Sequence, residues 1–281
     1  MRILKKILKI IFSIVLLGFI VLYIIFYQFT KPKSDTVVLE ALTTHLVTPK
    51  ISKEKFKEFE YRKVSIQKDT SFPTLIFVHG TIGSALDFKG YLTDSLLLSK
   101  ANMISYDRIG YNYEDINNVQ ESIAFETDML SDIIGDKKNV ILVGYSYGGP
   151  IALATKKEVK HIVLLAPAVY SKVEPMPAMI NLYKWKLTRW IVPPIWKQAS
   201  REKMSHIKDL ENFENRWNQT SNKVLSIHGD IDWIVPYENS LYLKEQFPEN
   251  QFTLKTINNV SHELVWTHEG YIKEELLKLL D

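Results

Sequence analysis

Cysteine is absent from all 281 positions. That excludes disulfides, a thiolate nucleophile and any cysteine-ligated metal, and it leaves the redox compartment open. Acidic residues are absent from positions 1–33, which hold Arg2, Lys5, Lys6, Lys9, Lys31 and Lys33. Charge of either sign is absent from Ile10 to Thr30. The formal net charge of +3 therefore misleads. Taking those six from the 35 basic residues leaves 29 against 32 acidic ones, so positions 34–281 carry a net charge of −3. A slightly acidic body without a dense basic patch gives nucleic acid nothing to bind.

What is present begins with that uncharged run. Ile10 to Thr30 is built almost wholly of Ile, Leu, Val, Phe and Tyr. Its length suits a helix that crosses a bilayer, and Tyr23, Tyr27 and Phe29 lie where aromatic rings favour the interface. Four cations precede it, which predicts a cytoplasmic N-terminus and an extracytoplasmic remainder. A cleaved signal peptide is the rival reading. It would need a shorter apolar core and a small-x-small site, whereas residues 26–31 read Phe-Tyr-Gln-Phe-Thr-Lys. The expected layout is an anchor over 1–33, a polar stalk over 34–58, a first core part over 59–168, a helical cap over 169–221 and a second core part over 222–281.

The body alternates apolar runs with helical patterns. Phe59 to Lys68 has strand character and predicts an edge hairpin. Thr74–Val78, Asn102–Tyr106, Val140–Val143, His161–Leu165, Val224–His228 and Phe252–Ile257 read as buried strands. Near-continuous apolar strands between helices predict a mostly parallel sheet covered on both faces. Asn118 with Glu121 resembles a capping box ahead of Ile123, Thr127, Leu130 and Ile134, which share one helix face. Ile272, Leu276, Leu279 and Leu280 do so in the last helix. Residues 169–221 hold four of the six tryptophans (Trp185, Trp190, Trp196, Trp217) and four prolines. That length exceeds a simple crossover loop, so the segment reads as an inserted helical cap. Its aromatics fit an apolar substrate pocket, a membrane surface or the cap's own core.

Chemistry enters at Gly144-Tyr145-Ser146-Tyr147-Gly148, after the Val140 strand and before the helical stretch Pro150 to Lys157. A G-x-S-x-G turn between strand and helix projects a serine oxygen from the end of a sheet. A serine needs a base, and the base needs an orienting carboxylate. His262 lies in a polar loop after the last strand. Asp230 and Asp232 follow the strand before it, and both qualify on chemistry. Backbone donors for an oxyanion are expected at Tyr147 and at Thr81, in the turn His79-Gly80-Thr81-Ile82-Gly83-Ser84.

With these motifs in place, the chain resembles the α/β-hydrolase fold proteins over residues 60–281, specifically capped serine hydrolases such as monoacylglycerol lipases and related esterases. The resemblance rests on His79-Gly80, Asp107-Arg108-Ile109-Gly110-Tyr111, the elbow at Ser146, Gly229-x-x-Asp232-x-x-Val235-Pro236, and His262. It implies an α/β-hydrolase fold with a helical cap, a Ser146–Asp232–His262 triad with Asp232 rather than Asp230 as the acid, and no metal or organic cofactor. Gly144 and Gly148 make room around the nucleophile. His79, Gly80, Asp107 and Arg108 brace the site. Tyr145 stands where such families usually have histidine, a change expected to alter packing more than mechanism.

The function implied is a membrane-anchored serine esterase acting on a small-molecule, lipid-like acyl ester. An amidase or aminopeptidase would need an acidic recess, for which Glu174, Glu202, Asp209, Glu211 and Glu214 are available, although such charges usually form a solvated face. A binding protein that kept the scaffold would not need all three triad positions filled. Asn218-Gln219-Thr220 and Asn259-Val260-Ser261 match glycosylation acceptors, a pattern common by chance.

Overall fold

A computed structural model describes residues 2–112 and 122–280. Eight strands form one sheet: β1 (Lys50–Phe56), β2 (Phe59–Ile66), β3 (Thr74–Val78), β4 (Asn102–Tyr106), β5 (Val140–Tyr145), β6 (His161–Leu165), β7 (Val224–Gly229) and β8 (Phe252–Ile257). Their order is β1-β2-β4-β3-β5-β6-β7-β8. The hairpin β1–β2 joins β4 antiparallel, and every later pairing is parallel.

Alternate residues of each strand feed opposite apolar layers. Leu75 and Phe77 point into one, with Val143, Leu264 and Leu276. Ile76 and Val78 point into the other, with Leu142, Met129 and Leu243. Both layers are covered, so the central strands read as unbroken apolar runs.

Helix α1 (Arg2–Phe29) is long and apolar enough to cross a membrane, and none of it is buried in the protein. Helix α2 (Asp35–Leu42) follows. The expected stalk over 34–58 is not what forms. Val38 and Leu42 are buried in one apolar layer, and residues 50–56 are the edge strand β1. Arg62 on β2 fixes the junction by donating to the Lys33 carbonyl (2.7 Å) and to Asp35 (3.0 Å). An amphipathic helix and a pairing-competent strand bury surface that a free stalk would leave in water.

Short helices α3 (Lys89–Leu92) and α4 (Ser95–Leu98) connect β3 to β4. The expected capping pair Asn118 and Glu121 lies outside the described residues. Helix α5 (Ile123–Ile134) is capped by Ser122, whose hydroxyl accepts from the Phe125 amide. Helix α6 (Gly148–Leu153) follows β5 directly. Between β6 and β7 the chain leaves the sheet and forms α7 (Ile180–Lys184) and α8 (Pro194–Glu211) with short 3-10 turns. Helices α9 (Glu238–Gln246), α10 (Leu264–Thr267) and α11 (Glu269–Leu280) complete the fold.

Candidate active site

The register brings the site together. Strands β3 and β5 are parallel neighbours with Val78 opposite Gly144, so the turn after β3 lies beside the turn after β5. Strands β7 and β8 are parallel with Gly229 opposite Ile257, so the loops carrying Asp232 and His262 emerge side by side.

Ser146 has φ = 54°, a left-handed conformation that costs energy in a residue with a Cβ. Hydrogen bonds over-determine it. Its amide donates to the Leu165 carbonyl (2.9 Å), and its carbonyl accepts from Gly149 (2.9 Å) and Ala168 (3.2 Å). The glycines here are steric requirements. A Cβ on Gly144 or Gly148 would run into backbone, respectively the Gly148 and Val78 carbonyl oxygens.

His262 Nε2 stands 3.0 Å from Ser146 Oγ, and its Nδ1 stands 2.7 Å from Asp232 Oδ2. An ionised carboxylate only accepts, so Nδ1 carries the proton and the Nε2 lone pair faces the serine hydroxyl. Burial pushes the Asp232 carboxyl up. Hydrogen bonds from His228, His262 and the Val235 amide outweigh this and hold it well below the usual range. Asp232 Oδ1 accepts from the Ile234 and Val235 amides, each at 2.9 Å. Asp230 plays a different part: it accepts the Asn259 amide (2.7 Å) and ties down the loop that carries His262.

The turn over residues 79–84 abuts Ser146, since a Cβ on Gly80 would lie 2.8 Å from Ser146 Cβ. The Gly80 carbonyl faces the protein interior. It accepts from His79 Nδ1 (2.7 Å) and Arg108 Nη1 (3.2 Å). The peptide is trans, so the Thr81 N–H projects the opposite way. Tyr147, the other expected amide donor, begins the turn into α6.

A profile of the alpha/beta hydrolase family matches residues 75–250. The chain belongs to the alpha/beta hydrolase family. Its fold is similar to that of an esterase from Exiguobacterium antarcticum (17% identity, 79% of this chain and 95% of that one, TM-score 0.62). It is similar to carboxylesterase CesB from Bacillus subtilis (14%, 92% and 97%, 0.62). A membrane phospholipase A described as a bacterial virulence factor is similar over 99% of this chain and 98% of its own (14%, 0.62). At such identities these likenesses show the fold.

Around the hydrolase site, the four bracing residues expected from the sequence do meet. His79 is fully buried, and its Nε2 accepts the Arg108 amide at 2.9 Å. Burial first, and then the Arg108 charge, hold its imidazole well below the usual range, so it is neutral. Asp107 accepts the Ala85 amide (2.7 Å) and pairs with Arg62. It thereby links the site to the junction behind α1. Arg108 is fully buried between Glu202 and Glu126, and its guanidinium lies 4.5 Å from the Tyr147 ring centroid. One side chain thus holds the His79 and Gly80 carbonyls and packs on Tyr147, the residue after Ser146.

Three residues make contacts that the sequence reading did not assign to them. Tyr145 does more than pack: its hydroxyl donates to the His262 carbonyl (3.0 Å) and its ring stacks on the imidazole (5.1 Å, 29°). His228 backs Asp232. Its Nε2 faces the Val235 carbonyl (3.0 Å) and Asp232 Oδ2 (3.3 Å), both acceptors, so Nε2 carries the proton and Nδ1 accepts from Ser240 (2.7 Å). Its adjacency to Gly229-x-x-Asp232 was the available clue. Glu202, on α8, accepts from Tyr111 (2.7 Å), Thr81 Oγ1 (3.0 Å) and Arg108. No local pattern marks a partner 94 positions from Arg108.

Most of the cap's acids are not a solvated face. Glu174 pairs with Lys203, Glu214 accepts the Ser171 amide and Asp209 accepts the Ile123 amide. Of the five, Glu211 is exposed. His206, also on α8, packs 4.5 Å from the Tyr147 ring. Burial first, and then Lys203, depress it to about 3. Among the described residues no group of three His, Asp or Glu side chains is placed to hold a metal ion.

Proposed function

We propose that this hydrolase is a membrane-anchored serine esterase that cleaves a lipid-like or otherwise apolar acyl ester through an acyl-enzyme. The observation that carries this reading is the continuous line from Ser146 Oγ through His262 to Asp232 Oδ2, with gaps of 3.0 and 2.7 Å. Ser146 attacks the acyl carbonyl as His262 Nε2 takes its proton, and Asp232 supports the imidazolium that forms. The Thr81 and Tyr147 amides receive the oxyanion. His262 then protonates the leaving alcohol. A water, deprotonated by the same nitrogen, releases the acid and restores Ser146. Apart from that water and the ester, the groups these steps use are side chains and amides of the chain.

Apolar substrate preference is supported by the apolar α1 and by a cap that exposes Trp185 and Trp190. The excess of cations ahead of the uncharged run favours a cytoplasmic N-terminus and an extracytoplasmic catalytic domain.

The test is fluorophosphonate labelling of the full chain in detergent against Ser146→Ala, followed by a series of acyl esters of rising chain length. Labelling of the parent and none of the variant is expected, with turnover rising with chain length. A folded parent that takes no label overturns the serine mechanism. Equal turnover of short and long esters overturns the lipid preference alone.

A further inference from the structure

We propose that the cap lies in the membrane leaflet from which α1 emerges, and that the lipid it rests on is where the ester substrate is drawn from. The substrate clause rests on the esterase reading above. The docking rests on α1 and on the cap's own surface.

The first observation is depth. A helix needs about 20 residues to cross the hydrocarbon core. Between Lys9 and Lys31 the uncharged run supplies little more than that. Its whole length is therefore required, up to Phe29. Yet the cap touches α1 well before that end. The Tyr23 hydroxyl donates to the Ile191 carbonyl at 2.7 Å, and the Phe26 ring lies 5.8 Å from Trp196. Tyr23 is six positions inside the helix end, about 9 Å at the helical rise. A cap segment bonded to Tyr23 shares its depth, below the point where α1 leaves the bilayer.

The second observation is chemistry. Beside Ile191 the cap exposes Met179, Leu182, Trp185, Leu187 and Trp190, with Leu187 at 87% and Trp190 at 74%. In water so dense a cluster is unfavourable, whereas tryptophan and leucine suit the headgroup boundary. Residues 175–201 contain Lys184, Lys186, Arg189, Lys197 and Arg201 and no acid. Long cationic side chains beside apolar ones reach back to anionic headgroups. A second protein copy would need to offer acidic and apolar surface together. An anionic leaflet offers both, and α1 already brings the cap to it.

The third observation is position. Helix α8 of the same cap supplies Glu202 to Thr81 and Arg108, and His206 to Tyr147. The face set in lipid and the face set over Ser146 thus belong to one short segment, so an acyl chain need not cross bulk water.

The full chain would be reconstituted in vesicles of phosphatidylcholine and phosphatidylglycerol. The native chain has no cysteine, so Leu187→Cys carries a single nitroxide reporter, and Lys244→Cys on α9 serves as the water-facing control. Oxygen should relax the label at 187 more than a soluble nickel chelate does, and the control should show the reverse. A label at 187 that behaves like the control overturns the proposal, as does its cross-linking to a second copy in place of lipid contact. Separately, Leu187→Glu with Trp190→Glu should lower turnover of a vesicle-embedded ester about tenfold and leave a short soluble ester unchanged. Equal losses on both esters overturn the interfacial role. A parent inactive on every ester would instead refute the esterase reading, and the spin-label result would still decide whether the cap is docked.

Discussion

Tyr145→Phe removes one oxygen from a residue next to Ser146 in sequence but in contact with His262 in space. The phenol is buried, and burial together with the Asp87 and Asp232 charges pushes it above its usual range, so it remains a donor at any working pH. Its acceptor is the carbonyl of His262 itself, 3.0 Å away. A neutral hydrogen bond of this kind contributes about 1 kcal/mol, and a buried carbonyl left without a donor costs about 1–3 kcal/mol. The loss falls on the peptide that sets the direction of His262 Nε2. If about 1 kcal/mol of it is felt in the transition state, kcat drops roughly fivefold. KM should hold, since Tyr145 lies behind the imidazole and the change removes no substrate contact. Tyr145→Leu also removes the ring stacked 5.1 Å from the imidazole, which favours the imidazolium formed during attack, so it should cost more than Tyr145→Phe. The assay is kcat and KM on a short soluble ester for both variants, beside urea melts of each. Melts shifted by the expected amount with kcat unchanged in both variants would refute the reasoning and leave Tyr145 a packing residue.

Three further outcomes follow from packing and burial. Burial first, opposed by Arg108 and aided by Glu202, raises the Glu126 carboxyl from 4.5 to about 7. A folded-state value above the unfolded one means the folded form holds the proton more tightly, so stability is lost as pH rises from roughly 4.5 to 7. The shift corresponds to about 3 kcal/mol. Urea melts at pH 5 and pH 8 should show a drop smaller by about that much in Glu126→Gln, and identical drops would sink the assignment. Gly148→Ala places a Cβ against the Val78 carbonyl oxygen and 2.9 Å from the His79 oxygen, both backbone. It should cost about 3 kcal/mol and disable the ester assay by displacing α6. Gly270→Ala meets nothing within 4 Å on helix α11 and should stabilise by roughly 0.5–1 kcal/mol. A neutral Gly148→Ala would contradict the packing described.

Several elements were legible because their causes are local. Strands β3, β4, β6 and β8 match the expected runs residue for residue, because β3, β4 and β6 are buried on nearly every residue and the edge strand β8 still carries Phe252, Leu254 and Ile257. The elbow was legible because glycines flank Ser146 between an apolar strand and a helical stretch, which is what a tight turn at φ = 54° requires for space. The stalk was misread because β1, Lys-Ile-Ser-Lys-Glu-Lys-Phe, is an edge strand whose side chains are mostly solvated, so it carries little apolar signal. The cap's acids were misread because a buried carboxylate looks like a surface one until its cation is found, and the cation for Glu202 is 94 positions away.

By itself, then, the sequence determined most of the elements: an uncharged run long enough to span a bilayer, apolar strands between helices, and Ser146, the pair Asp230 and Asp232, and His262 following successive strands in that chain order. These follow from local periodicity, turn chemistry and residue type. Tertiary structure alone decided what each chemical group meets. It placed Asp232, the acid that the resemblance implies, against His262 and gave Asp230 to the loop beneath it. It set Tyr145 and His228 behind His262 and Asp232, and buried Arg108 between Glu126 and Glu202. Those pairings depend on which loops a parallel sheet brings to one edge. That is a property of strand order, and strand order is written in no short stretch of the chain.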